Sequence, residues 1–359
     1  SLSAVELRNR LTQATGLRIP PTVIFEAPTA QELGVYLAER VREEAPALEA
    51  AGAEPPSSDG TLTALLRGAH EQGSLVDFVP MVRAASRFGP AFSSPEDLER
   101  LPSLVSLSQG EGTRLICVPS FLAGSGPHQF SRLATGLDGS RSLSAFSLPG
   151  FRPGEPVPGT WGAAIDSLAA SVREEVAEGE PFVLVGYSIG GAAAHALARR
   201  LEDDGVSPAG LVMIDTYAPE SEDEMHQVFG DVMATILDEG HALIQEAVDD
   251  DDLLAMGAYF RVGAEWEPVP IETPALLVRA SEPLGDAFEG GRLQSWQLPP
   301  DVVEVTGDHF GLMDEAADDT ARAIDAWVRE RVDEPDAALD GDVAGNGSRS
   351  AARVSGAGA

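Results

Sequence analysis

Residues 182–197, FVLVGYSIGGAAAHAL, hold the pattern Gly186-Tyr187-Ser188-Ile189-Gly190 between an apolar run and a stretch of small residues. A serine placed between two glycines at the end of a short strand and the start of a helix reads as a nucleophile elbow. The turn is too tight for side chains on either flank, and it leaves the serine strained with Oγ exposed at the carboxyl edge of a sheet. The amide of Ile189, at the helix start, is aimed where negative charge would develop on a substrate carbonyl oxygen. The chemistry that fits is acyl transfer through a covalent acyl-serine.

A serine hydroxyl needs a base to take its proton, and six histidines are available. His195 lies two turns into the elbow helix and points along the wrong element. His226 and His241 fall in a long insertion, His70 precedes the sheet, and His128 in GSGPHQF reads as a loop-fixing residue. His309, in VVEVTGDHFGLM, follows the last apolar run, where a loop leans over Ser188. The chain order serine, acid, histidine also fits a hydrolase of the α/β type. Two carboxylates qualify as the acid that holds the imidazole. Asp215 ends LVMID, and Glu282 follows ALLVRASE; pattern alone does not separate them. A second oxyanion donor is expected from residues 117–130, CVPSFLAGSGPHQF, around Phe121 and Leu122. Cys117, the only cysteine, lies within the preceding strand and reads as a buried, inert thiol.

Such a site must be carried by strands and helices in alternation. Residues 115–118, 142–148, 182–186, 211–215, 275–279 and 302–305 are short β-rich runs. Helical segments separate most of them, such as WGAAIDSLAASVREEV, where Ile165, Leu168, Val172 and Val176 share a face. The expected fold class is α/β, an α/β-hydrolase with a mostly parallel sheet covered on both sides. About 219–270 reads as an inserted helical lid. Its run from Pro219 to Asp252 holds twelve Asp and Glu and no Arg, the pattern of a solvated helical face. Residues 1–44 read as short helices, 45–60 as an Ala/Pro/Ser/Gly-rich linker, 61–332 as the catalytic domain, and 333–359 as a disordered tail.

Composition narrows the functional classes. The formal net charge of −34 argues against a nucleic-acid or anionic membrane partner, since both call for basic patches. All 24 cationic residues are Arg, so lysine-dependent chemistry is excluded. No apolar stretch approaches the roughly 18 residues that span a bilayer. With a single thiol and no secretory pattern, the expectation is a cytoplasmic protein without metal or nucleotide cofactor.

Over about 61–330 the chain resembles the terminal thioesterase domain of modular type I polyketide synthases. The resemblance rests on LTALLRGAHEQG, SGPHQF, GYSIGG, IDTYAPE, LLAMGAYFRV and GDHF, in that order. The opening SLSAVELRNRL resembles the end of the acyl-carrier domain that precedes it, which implies a chain beginning inside a longer synthase. The carrier's 4'-phosphopantetheine serine falls on Ser1. The resemblance favours Asp215 over Glu282 and implies a triad of Ser188, Asp215 and His309. It implies oxyanion amides at Ile189 and Leu122 (the backbone only) and places Tyr217 in the substrate channel. It implies an acyl-carrier domain in cis, a polyketide acyl thioester substrate, and a homodimer through helices at about 62–88. Packing of those helices on the protein's own core is the competing reading. The implied activity is chain release by macrolactonisation or hydrolysis. The alternatives are a general serine carboxylester hydrolase and an editing thioesterase.

Overall fold

The computed structural model describes residues 60–217, 222–238, 248–282 and 301–334, with Val23, Leu33, Gly34 and Tyr36 as isolated positions before them. The carrier segment, Ser1, the linker up to 59 and nearly all of the expected tail lie outside the described residues.

Seven strands form one sheet: β1 Leu104–Ser108, β2 Gly110–Val118, β3 Gly139–Phe146, β4 Phe182–Tyr187, β5 Gly210–Ile214, β6 Ala275–Ala280 and β7 Asp301–Val305. Their spatial order is β1-β3-β2-β4-β5-β6-β7. Only β1 runs antiparallel, against β3. The chain leaves β2 toward one edge and returns to its other side with β4. The strand order therefore reverses between β2 and β4, the place where α/β sheets open a crevice at the carboxyl ends of their strands. Val118 pairs with Gly186, so the loops that follow β2 and β4 leave the sheet side by side.

Both faces of the sheet are buried, which is why its strands read as continuous apolar runs. On one face Ile116, Val118, Leu184, Leu211, Met213 and Leu277 join residues of α4 (Trp161–Glu175) and α5 (Gly190–Asp203). On the other, Leu115, Cys117, Val183, Val185, Val212 and Ile214 meet α3 (Ser131–Leu137) and α8 (Ala317–Val328). Burying about ten such side chains at roughly 2 kcal/mol each is ample to define this layering.

The interval between β5 and β6 carries α6 (Glu222–Asp238) and α7 (Asp250–Gly263). They pack with α1 (Thr61–Glu71) and α2 (Leu75–Ala85). Leu66, Leu75, Phe78, Val79 and Val82 are buried in the same cluster as Phe229, Met256 and Phe260. The helices at 62–88 thus spend most of their apolar face on the protein's own core.

Four expectations change. Leu104–Ser108 is a strand that the sequence did not announce, and β3 ends at Phe146 rather than at 148. The acidic run at 249–252 is no solvated face. Asp250 Oδ1 accepts from Thr63 N at 3.0 Å and Thr63 Oγ1 at 3.1 Å, so it caps α1 from the start of α7. Asp249 and Asp252 form a capping box at the start of α7. The ordered domain also runs past 332, because Asp333 pairs with the fully buried Arg141 at 2.8 Å.

Candidate active site

Every residue of β4 is buried, and the strand runs straight into Ser188, whose φ is +55°. Such a conformation is rare for a residue with a side chain and is tolerated where the surroundings enforce it. Here the enforcement is visible. A Cβ on Gly186 would strike the Cα of Gly191, and one on Gly190 would strike the carbonyl oxygens of Val118 and Pro119. Ser188 N–H donates to the Ile214 carbonyl oxygen at 2.9 Å, which ties the turn to the end of β5. Ile189 is the N-cap of α5, so its amide belongs to the helix-start donors that have no partner within the helix.

One residue beyond Ile214 the strain recurs: Asp215 has φ +44° and is 2% exposed. Its N–H donates to the Val278 carbonyl oxygen at 2.7 Å, and its Oδ1 accepts from Ala280 N at 3.0 Å. The other oxygen, Oδ2, lies 2.8 Å from His309 Nδ1. Asp215 and His309 are both buried, so this contact is shielded from solvent screening. Glu282 is exposed, and its N–H donates to the Gly307 carbonyl oxygen at 3.0 Å. Of the two carboxylates the sequence left open, Asp215 is the one that meets the imidazole.

The imidazole is fixed to the elbow as well as to the acid. Tyr187, immediately before Ser188, donates its hydroxyl to the His309 carbonyl oxygen at 3.1 Å. Its ring lies nearly parallel to the imidazole, 5.1 Å between centroids, and Phe310 packs edge-on from the other side. Burial first, and then the Asp215 and Asp308 carboxylates, drive the Tyr187 phenol far above its ordinary range, so it remains a donor.

The loop after β2 is held by side chains that sequence reasoning missed. Gln129 Oε1 accepts from Ser120 N at 3.1 Å while its Nε2 donates to Ser120 Oγ at 3.1 Å. Ser120 Oγ lies 2.7 Å from Ser125 Oγ, and Ser125 N–H donates to the Leu122 carbonyl oxygen at 2.9 Å. Leu122 is buried, and Phe121 beside it stacks on Tyr259 at 4.9 Å between centroids. No motif marks Gln129; only its position in the short helix opening at Pro127 hints at a clamp.

Two of the remaining histidines are engaged elsewhere. His195 Nε2 lies 3.0 Å from the Val269 carbonyl oxygen, and His226 Nε2 lies 2.7 Å from Arg83 Nη1. His241 is outside the described residues. Cys117 is fully buried, and desolvation pushes its thiol well above the usual range, so it is inert as expected. Tyr217, expected in a substrate channel, turns its hydroxyl onto Asp215 Oδ2 at 3.0 Å. Among the described residues no group of three or more His, Cys, Asp or Glu is arranged to hold a metal ion, and no helix is long and apolar enough to cross a membrane.

The family model for the thioesterase domain matches residues 113–328, from β2 to the end of α8. The chain belongs to the thioesterase domain family. Ahead of this thioesterase domain, residues 1–37 match the phosphopantetheine attachment site. The chain is 39% identical over 345 residues to Polyketide synthase GfsE of Streptomyces halstedii, which covers 91% of this chain and 9% of that protein. It is 37% identical over 331 residues to Erythronolide synthase EryA3 of Saccharopolyspora erythraea, covering 91% of this chain and 10% of that protein. The chain therefore spans about a tenth of the length of these relatives. Among solved structures, the thioesterase domain is similar to YbtT, a type II thioesterase from the Yersiniabactin NRPS/PKS biosynthetic pathway (21% identity, TM-score 0.49, 64% of this chain and 98% of that one). It is likewise similar to the wild-type Vlm2 thioesterase domain (21% identity, TM-score 0.47, 63% of this chain and 97% of that one). A carrier segment in cis with a polyketide-synthase-associated thioesterase domain is thus the organisation of this chain.

Proposed function

We propose that Ser188, His309 and Asp215 act as a catalytic triad that takes a polyketide acyl chain from the carrier in cis and releases it as a macrolactone or a free acid. The observation that carries this reading is the buried Asp215–His309 pair, fastened through Tyr187 to a serine at positive φ.

His309 accepts the Ser188 hydroxyl proton at Nε2 as Oγ attacks the thioester carbonyl carbon. The oxyanion is stabilised by the backbone amides of Ile189 and Leu122. Collapse breaks the C–S bond, and the leaving thiolate takes the proton from His309. In the second half, a hydroxyl of the same chain, or water, gives its proton to His309 and attacks the acyl-serine. Breaking of the ester then returns the proton to Ser188 Oγ. Asp215 steadies the imidazolium formed in each half. Phosphopantetheine, when attached, supplies the thiol that holds the chain as a thioester, and Ser1 is the attachment position we assign within the matched segment.

A serine-directed phosphonate is expected to label Ser188 stoichiometrically and to leave Ser188→Ala unlabelled; folded parent protein that resists labelling overturns the triad. Mass analysis of products from hydroxyacyl thioesters of several lengths separates lactone from acid. If matched oxygen esters turn over as fast as thioesters, and carrier-borne and free thioesters are equivalent, the general esterase reading replaces chain release.

A homodimer through α1 and α2 is also proposed. Leu65, Val76 and Phe88 account for three of the five large apolar side chains exposed among the described residues. They lie within residues 61–88, where Leu66, Leu75, Phe78, Val79 and Val82 are buried, which fits a contact surface beside a packed core. Light scattering should report a dimer for the parent and a monomer for a Leu65→Glu/Phe88→Glu double variant; an unchanged mass overturns the assignment.

A further inference from the structure

We infer that Tyr217 is a positioning residue that sets how much of the Asp215 charge faces His309, in addition to any contact it makes with substrate. This rests on the triad proposed above and goes beyond it.

Three donors converge on the Asp215 carboxylate, and two share one oxygen. Oδ1 takes the Ala280 amide at 3.0 Å. Oδ2 takes both His309 Nδ1 at 2.8 Å and the Tyr217 hydroxyl at 3.0 Å. In a buried site the charge on that oxygen is divided between its donors, and each weakens the other's hold. A carboxylate that met the imidazole alone would favour the imidazolium more strongly. That would hold the proton on His309 and hinder its work as a base toward Ser188. The phenol also fixes which oxygen faces the ring. Asp215 sits at positive φ, two residues before Tyr217, and the chain turns sharply enough between them for the hydroxyl to reach back.

The phenol is a dependable donor here. Burial, then the Asp215 carboxylate and the hydrogen bond to it, raise Tyr217 far above its ordinary range, while Arg279 on β6 opposes this. Among the described residues, Asp308 and Arg279 also act on the tyrosines beside the pair. Asp308, next to His309, accepts from Gly311 N at 2.7 Å, and Arg279 pairs with Glu304 at 2.7 Å. Both are engaged with those partners, while the Tyr217 hydroxyl shares Oδ2 with Nδ1, so its removal changes the charge presented to Nδ1.

The test is the pH profile of kcat/KM for a short acyl thioester in the parent and in Tyr217→Phe. Without the hydroxyl the imidazolium forms more easily, so the acid limb should move to higher pH by roughly half a unit or more. Near pH 7, kcat should fall roughly three- to tenfold while KM stays within about twofold. A 3-fluorotyrosine installed at 217 is a stronger donor and should move the limb the opposite way. The downfield proton resonance of the His309–Asp215 hydrogen bond should shift in both variants, a readout that survives loss of turnover. A Tyr217→Phe protein that folds like the parent with an unmoved acid limb and an unmoved resonance overturns the inference. A raised KM with an unmoved limb does so too, and assigns Tyr217 to the channel wall. Ser188→Ala and His309→Ala, run alongside, keep the two readings distinct: if either retains parent turnover the triad itself fails, whatever Tyr217→Phe does.

Discussion

Asp215 and Asp252 are both carboxylates withdrawn from water at the carboxyl side of the sheet, and their surroundings are opposite. Asp215 accepts from three donors: the Ala280 amide, the His309 ring and the Tyr217 hydroxyl. Beside Asp252, at the start of α7, stands a second carboxylate, Asp249, with Asp251 next to it. Burial, followed by Asp249, pushes Asp252 up to about 8, although the Asp249 backbone hydrogen bond opposes the shift. Donors make a buried charge useful, while like charges make it a liability that varies with pH. Asp325 stands between the two, partly buried against the guanidinium of Arg141 at 2.6 Å.

The largest effect is expected where the charge does chemistry. Asp215→Asn should reduce thioester turnover by about 10³–10⁴-fold, the order seen when the acid of such a triad loses its charge. Glu282→Gln should stay within about twofold of the parent, because that side chain is exposed and makes no contact with His309. Single-turnover assays check both, and equal losses would undo the choice of acid.

Next comes the ion pair. Arg141 is 1% exposed and binds Asp325 and Asp333 together, so Asp325→Ala leaves a buried guanidinium short of a partner. The expected loss is about 3 kcal/mol, with Tm lower by roughly 6–10 °C and kcat at a permissive temperature unchanged. Arg141→Met removes the cation and should be milder. Calorimetry ranks the two, and the reverse order would show that the pair is not what holds α8. The same pair leaves a pH signature. Burial alone would raise Asp333, yet the hydrogen bonds from Arg141 and Thr113 outweigh it and hold the carboxyl below its ordinary range. Its contribution to stability is present above the ordinary carboxylate range and is lost as pH falls through the lowered value.

These contrasts were legible in the sequence to very different degrees. The elbow was fully legible, because Gly186, Ser188 and Gly190 answer to a steric demand confined to five residues. His309 was legible from its place after the last strand. The acid was not legible from pattern alone, since Asp215 and Glu282 both follow strands of the right kind, and it was the family resemblance that favoured Asp215. What separates them is a positive φ and an amide from the neighbouring strand, neither of which leaves a local pattern. β1 escaped notice because it is an edge strand whose burial alternates through serines, LVSLS, instead of forming an apolar run. Gln129 and the second role of Tyr217 depend on contacts made across loops. The end of the acidic run misled, because Asp249–Asp252 read as part of a helix surface until one knows that they gather at a helix start.

The smallest predicted effect tests the unfavourable end of the comparison. An acid whose folded value is raised contributes stability that is fully present below its unfolded value, near 3.8, and is lost as pH rises toward about 8. Asp252→Asn keeps an oxygen for the Asp249 amide and removes the charge, so its stability should be nearly flat across that window. At low pH parent and variant should melt together. At pH 8 the variant should melt about 3 °C higher, roughly 1 kcal/mol for a domain of this size. Asp250→Ala, two residues earlier, provides the opposing control. It removes the cap on Thr63 and should lower Tm by a similar amount at both pH values. A melting curve for Asp252→Asn that runs parallel to the parent across this range would mean that Asp252 is not the group that sets the pH response at α7. Curves for Asp252→Asn alone that coincide with the parent at low pH and part from it as pH rises would place the like-charge strain at the first turn of α7, apart from the carboxylate that meets His309.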